Sequence, residues 1–198
     1  MREHRIAAIP GDGIGTEVIA AGLQVLGVLA QRDGGFKLNV ENFPWSSDYY
    51  KKNGHYIPEG GLERLKKFDA IFFGAVGAPD VPDHISLWGL RLPICQGFDQ
   101  YANVRPARVL PGITSPLAGG EKIDWVVIRE NSEGEYSGSG GRVHRGLPEE
   151  IATETSVFTR NGVQRIHKFA FELASKRPRK HLTLVTKSNA QRHSMVMW

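Results

Sequence analysis

The segment IPGDGIGTEV, residues 9–18, places three glycines and a carboxylate at the end of an apolar run. Glycines in that position bind phosphate when their backbone N–H groups open a helix N-terminus. The dinucleotide fingerprint needs glycine at its first, third and sixth positions, with an acid about 20 residues on for the ribose. Gly11 and Gly13 fit, but the sixth position is Thr16, and Gly15 stands one place early. The candidate acid, Glu41, falls late, near the far end of the next apolar run. Asp12 would repel a pyrophosphate, and no Gly-Lys-Ser/Thr follows to make a P-loop. The segment therefore reads as a tight turn with Gly13 or Gly15 at positive φ, forming the rim of a site rather than a phosphate nest.

Other chemistries find less support. Cys95 is the only cysteine, which leaves no disulfide framework and no thiolate zinc site within the chain. The seven histidines show no tight ligand spacing, so no histidine-based metal site is expected. Net charge is +4, from 25 Lys and Arg against 21 Asp and Glu. The cations are scattered apart from the run at Lys176–His181, which reads as a solvated helix end rather than a nucleic-acid contact. Such a charge suits small anionic substrates. No apolar run approaches the roughly 20 residues of a membrane span, and MREHRIAAIPGD lacks a signal-peptide core, so a cytoplasmic protein without membrane or nucleic-acid partners is expected.

The elements that must position any site alternate between strand-like and helix-like patterns. Strands are expected over 5–10, 36–43 and 69–74, with helices over 16–31 and 60–67 between them, the arrangement of a parallel sheet covered by helices. Val18, Gly22, Val25, Leu26 and Leu29 form the stripe expected to pack the first helix on the sheet. From 74 to about 113 glycines and prolines suggest a long irregular stretch. A strand is expected at 124–129, a Gly/Ser-rich loop at 132–141 and a β-like segment at 153–158. A helix capped by Thr159 should run to about Lys176 with Val163, Ile166, Ala170, Leu173 and Ala174 inward, stopped by Pro178. His181–Thr186 reads as a last strand. Met195, Val196, Met197 and Trp198 have nothing after them to bury them, as expected of a truncated chain.

Five segments carry a family resemblance: PGDGIGTEV at 10–18, FFGAVGAP at 72–79, YANVRPAR at 101–108, VVIRENSEGEYSG at 126–138 and TKSN at 186–189. In this order they resemble the β-decarboxylating dehydrogenases of 2-hydroxy acids, which act on isopropylmalate, isocitrate, homoisocitrate, tartrate and D-malate. The set spans the chain and is highly specific, although each segment alone is weak. DHISLWG at 83–89, together with the segment at 126–138, is most similar to the tartrate dehydrogenase/decarboxylase branch and its D-malate-oxidising relatives.

The resemblance implies an α/β, isopropylmalate dehydrogenase-like two-domain fold, with a parallel or mixed sheet flanked by helices, truncated here after about half. Residues 1–100 would belong to the dinucleotide-binding domain and 101–198 to the smaller substrate and dimerisation domain. It implies NAD-dependent oxidation of the C2 hydroxyl, β-decarboxylation for some substrates, and Mg²⁺ or Mn²⁺ bound to the substrate.

Arg105 and Arg129 match the family's substrate arginines, and planar guanidinium groups suit a dicarboxylate better than lysines do. Tyr136 matches the acid that protonates the enolate. Lys187 matches the lysine that works in the partner subunit's site of a homodimer; removing the hydroxyl proton there requires a lowered pKa, from burial and a nearby metal. The resemblance further implies that Asn189 faces the nicotinamide, that Ile14 lines the cofactor pocket, and that 137–158 corresponds to an arm that clasps the partner.

Departures narrow the reading. A further substrate arginine usually stands where this chain has Cys95, and the nearest arginine is Arg91: either Arg91 swings in from a different turn to bind the substrate or the substrate is held with fewer cations, and the pocket is expected to be remodelled in either case. Trp88 would fill space that larger substrates need and restrict the pocket to four-carbon acids. The metal-binding aspartates and the adenosine loop are expected beyond Trp198, which would leave this chain alone inactive. An isopropylmalate- or isocitrate-type enzyme, or a regulatory subunit of the same fold, are the alternatives.

Overall fold

The computed structural model describes residues 1–198 apart from the side chain of Glu121. The chain divides into two compact units, Met1–Gly97 and Phe98–Trp198.

In the first unit, β1 (Arg2–Gly11) lies between β2 (Phe36–Asn42) and β3 (Ala70–Ala75), all parallel. Ala7, Ala8 and Ile9 of the central strand are fully buried, which is why this strand reads as a continuous apolar run. The helix α1 (Ile14–Asp33) returns the chain from β1 to β2 and ends at Gly34, whose left-handed φ of 67° and N–H bond to the Ala30 carbonyl close the last turn.

The face that α1 lays on the sheet differs from the expected stripe. Gly15 and Ile19 are buried, and Gly22 rests on the Phe72 ring, where a Cβ would come within 2.6 Å of Cζ. Val18, Val25 and Leu29 point away and are exposed. The helix is apolar on two sides, and the close approach permitted by glycine selects which side meets the sheet. Contrary to the sequence reading, α1 is also a 20-residue helix apolar enough, by length and composition, to cross a membrane. The helix meets the sheet through Gly15, against the Ala75 backbone, and Gly22, against Phe72.

Two short helices follow β2. The first, α2 (Ser47–Asn53), is capped by Ser46 Oγ, which accepts from the Tyr49 N–H; the second is α3 (Gly61–Leu65). Phe43, Trp45, Tyr56 and Leu65 form the buried core beside them. The stretch expected to be irregular after β3 contains α4 (Asp83–Ser86), a π-helical turn at Leu87–Arg91 and α5 (Leu92–Gly97), with Leu90, Leu92, Ile94 and Cys95 buried.

In the second unit, β4 (Ala102–Arg108) pairs antiparallel with β5 (Asp124–Glu130). β6 (Gly134–Val143) pairs with β7 (Ile151–Val157) in a second two-stranded sheet, so the expected Gly/Ser loop is mostly strand. α6 (Arg160–Lys176) starts at Thr159, whose Oγ1 accepts from the Gly162 N–H, and buries Val163, Ile166, Ala170 and Ala174 as its spacing requires. Residues 181–186 form no strand and pair with no strand among the described residues; Leu184 and Val185 are exposed. After α7 (Ser194–Met197), Trp198 is half-buried, edge-on to Phe158 at 5.9 Å and to His167 at 5.3 Å, so the last apolar residue does find a packing surface.

Candidate functional site

The β4–β5 ladder decides which of the motif residues act together. Asn103 pairs with Arg129 and Arg105 with Val127. Side chains of paired residues share a face, and residues two apart on one strand share it too. Asn103, Arg105, Arg129 and Asn131 therefore line one face, with the two arginines as diagonal neighbours. Asn103 Nδ2 reaches Asn131 Oδ1 at 3.5 Å. A planar guanidinium group binds a carboxylate through two parallel hydrogen bonds.

Tyr136 joins this group. The Arg129 guanidinium donates to the Tyr136 hydroxyl and lies over its ring, 4.9 Å from the centroid. The loop between them is held by its own carboxylates. Glu130 accepts from the Ser132 N–H (2.9 Å), the Ser132 hydroxyl (2.6 Å) and the Glu133 N–H (2.6 Å). Glu133 accepts from the Thr159 N–H (2.9 Å) and hydroxyl (2.6 Å), which fastens the loop to the start of α6. Arg165, from α6, bonds both Asp99 carboxylate oxygens and the Ser132 hydroxyl at 2.9 Å and lies 4.6 Å from the Tyr101 ring centroid. Buried Asn131 donates its backbone N–H to the Tyr101 carbonyl and its side-chain amide to the Gln100 carbonyl. The motif reading missed these supports. Their partners lie up to 66 residues apart, and no local spacing announces them.

Lys187 and Asn189 sit in an exposed turn in which the Lys187 carbonyl accepts from the Ala190 and Gln191 N–H groups. The burial expected around Lys187 is not present within this single chain.

In the first unit the opening turn resolves the question raised by its glycines. Gly11 and Gly13 adopt positive φ, whereas Gly15 is helical and packs against the Pro10 carbonyl, where a Cβ would come within 2.2 Å. Asp12 is consumed internally: it accepts from the Ser47 N–H and hydroxyl at 2.7 Å and from the Gly77 N–H at 2.8 Å. Glu41 is ion-paired with Arg64, which occupies the acid that a ribose would need. Ile14 is 64% exposed at the start of α1.

Trp88 and Arg91 share the single π-helical turn, Trp88 exposed and Arg91 half-buried, while Cys95 is buried in the core four residues on. The cysteine is thus a packing residue within this unit. A cavity of about 790 Å³ along β2, lined by Leu38, Glu41, Arg64, Lys67 and neighbours, includes none of the substrate, catalytic or cofactor candidates. Among the described residues, no group of three or more His, Cys, Asp or Glu side chains is placed to hold a metal.

Comparison with known proteins places these features in context. The family described as isocitrate/isopropylmalate dehydrogenase matches residues 5–198. A probable tartrate dehydrogenase/decarboxylase from Agrobacterium vitis is 72% identical over the whole chain, which covers 56% of that protein. The decarboxylating D-malate dehydrogenase of Escherichia coli K12 is 54% identical, again over 56% of its length. The chain thus spans about half the length of the curated relatives it matches. Among solved structures, an isocitrate dehydrogenase from Methylococcus capsulatus superposes with a TM-score of 0.80 at 28% identity, covering 98% of this chain and 54% of that one.

Proposed function

Because the chain belongs to the isocitrate/isopropylmalate dehydrogenase family, we propose that the full-length protein oxidises a small 2-hydroxy diacid, tartrate or D-malate, with NAD and a divalent cation, Mg²⁺ or Mn²⁺. The observation that carries this reading is the diagonal pair Arg105 and Arg129 on one sheet face, with Arg129 bonded to Tyr136. The 72% and 54% identities to a tartrate and a D-malate enzyme support the choice of acid.

Arg105 and Arg129 bind the substrate carboxylates, and Arg91 adds a further cation. NAD, when bound, supplies the hydride acceptor for C2, with Ile14 and Asn189 beside it. Lys187 Nζ takes the hydroxyl proton, in the partner's site of a homodimer. Loss of the β-carboxylate as CO₂ leaves its electron pair on an enolate, to which the Tyr136 hydroxyl gives a proton. Among the described residues, no group of three or more His, Cys, Asp or Glu side chains is placed to hold the cation.

The β6–β7 hairpin, with Val143, Leu147 and Ile151 exposed, supports the arm that clasps the partner. The test is NADH formation by the full-length protein on tartrate and D-malate, before and after chelation and with each metal restored. Activity on neither acid under any of these conditions overturns the proposal.

A further inference from the structure

The hydrogen bonds around Asp12 have a direction. The Ser47 hydroxyl has one proton, and it lies 2.7 Å from Asp12 Oδ2, an acceptor. The Tyr56 hydroxyl, 2.8 Å from the same Ser47 oxygen, must therefore be the donor of the second bond. The result is a one-way relay, Tyr56 to Ser47 to Asp12, and the Asp12 carboxylate also gathers the Ser47 and Gly77 N–H groups. Ser47 and Tyr56 are each 1% exposed, so water cannot substitute for either bond.

Each end of the relay touches something the proposed chemistry uses. At one end, Asp12 lies in the Gly11–Gly13 turn that leads into Ile14. At the other, the Tyr56 ring has two close neighbours. Tyr50 stacks on it at 4.9 Å with rings 10° apart. Gly89 comes so close that a Cβ there would lie 2.7 Å from Tyr56 Cδ2. Gly89 is the middle residue of the π-helical turn whose other members include Trp88 and Arg91. A π-helical turn is a local departure from the regular hydrogen-bond ladder and needs outside support. Here the support is an aromatic ring, met at its Cδ2 side, whose position is fixed by its hydroxyl.

We propose that Tyr56, Ser47 and Asp12 are positioning residues that set the π-helical turn bearing Trp88 and Arg91 against the opening turn bearing Ile14. This rests on the functional reading above for what Trp88 and Arg91 bind, but the geometry it asserts is independent of that reading.

The test uses the full-length protein labelled with fluorotryptophan, the Trp88 resonance being assigned with Trp88→Phe. Tyr56→Phe keeps the ring and removes the donor; Ser47→Ala breaks the relay at its middle. Either substitution is expected to shift the Trp88 resonance and raise KM for D-malate roughly 3- to 10-fold, the worth of one buried hydrogen bond, with kcat within about twofold. The double variant is expected to match the larger single effect, because both break one relay. An unmoved Trp88 resonance in both variants overturns the positioning, whatever KM does. A shifted resonance with unchanged KM overturns the link to substrate binding. If the wild-type protein oxidises neither tartrate nor D-malate, the functional reading fails, and the Trp88 resonance still decides the positioning.

Discussion

The Arg129 guanidinium both donates a hydrogen bond to the Tyr136 hydroxyl and lies over the face of its ring. One cation thus orients the phenol in two ways while belonging to the sheet face that carries Arg105. Tyr136→Phe keeps the ring contact and removes the proton donor. It is expected to lower the decarboxylating turnover by about 10²- to 10⁴-fold, the range for a general acid, with KM for the acid changed little. Steady-state NADH and CO₂ measurements check this; a rise in KM alone would make the tyrosine a binding group.

The loop that carries Tyr136 is tied to α6 through Glu133 and Thr159. Thr159→Ala removes the side-chain cap on Gly162 and one of the two bonds to Glu133. Loss of such a cap costs about 1–2 kcal/mol. A urea midpoint lowered in that proportion, at unchanged slope, is expected. An unchanged midpoint would mean that the cap contributes nothing.

Burial raises the Tyr56 phenol above its ordinary value, and the nearby Asp12 charge acts in the same direction. The folded state therefore holds this proton in a window, above pH about 10, where the unfolded chain has released it. This contribution is complete below the unfolded pKa and is lost as pH rises through the folded one. Alkaline unfolding scans should accordingly show a steeper loss of stability for wild type than for Tyr56→Phe. Identical slopes would contradict the burial of an ionisable phenol.

Trp88 is 40% exposed on the π-helical turn and has the bulk to exclude a branched substrate. Trp88→Ala is expected to raise the kcat/KM for isopropylmalate relative to D-malate by about 10-fold or more, the scale set by a few methylene groups in a pocket. An unchanged ratio would show that the tryptophan does not set substrate size.

The sequence already carried the parallel sheet and α6, because each follows one strong rule. Ala7, Ala8 and Ile9 form an unbroken buried run, and α6 has both a Thr159 cap and a single apolar stripe. The failures share a cause: the deciding partner is distant or missing. β4 was hidden by Pro106, which is tolerated because this strand has a neighbour on one side only. The helical run at 83–97 was hidden by Gly89 and Pro93; the widened turn at 87–91 lies just before the proline, which has no N–H to give. Residues 181–186 have the composition of a strand and no strand to pair with among the described residues.

For the site, the motifs identified Arg129 and Tyr136, whose mutual bond the fold displays, but spacing could not reveal Asp12 joined to Ser47 across 35 residues or Glu133 joined to Thr159 across 26. Asp12, read at first as an obstacle to phosphate, is a structural anchor.

The most direct measurement is the ratio of kcat/KM for D-malate or tartrate to that for isopropylmalate, with NAD and Mn²⁺, on the full-length protein. NADH formation on at least one of the four-carbon acids is expected, at a ratio above about 10². A ratio below one, or no NADH from either acid, would contradict it.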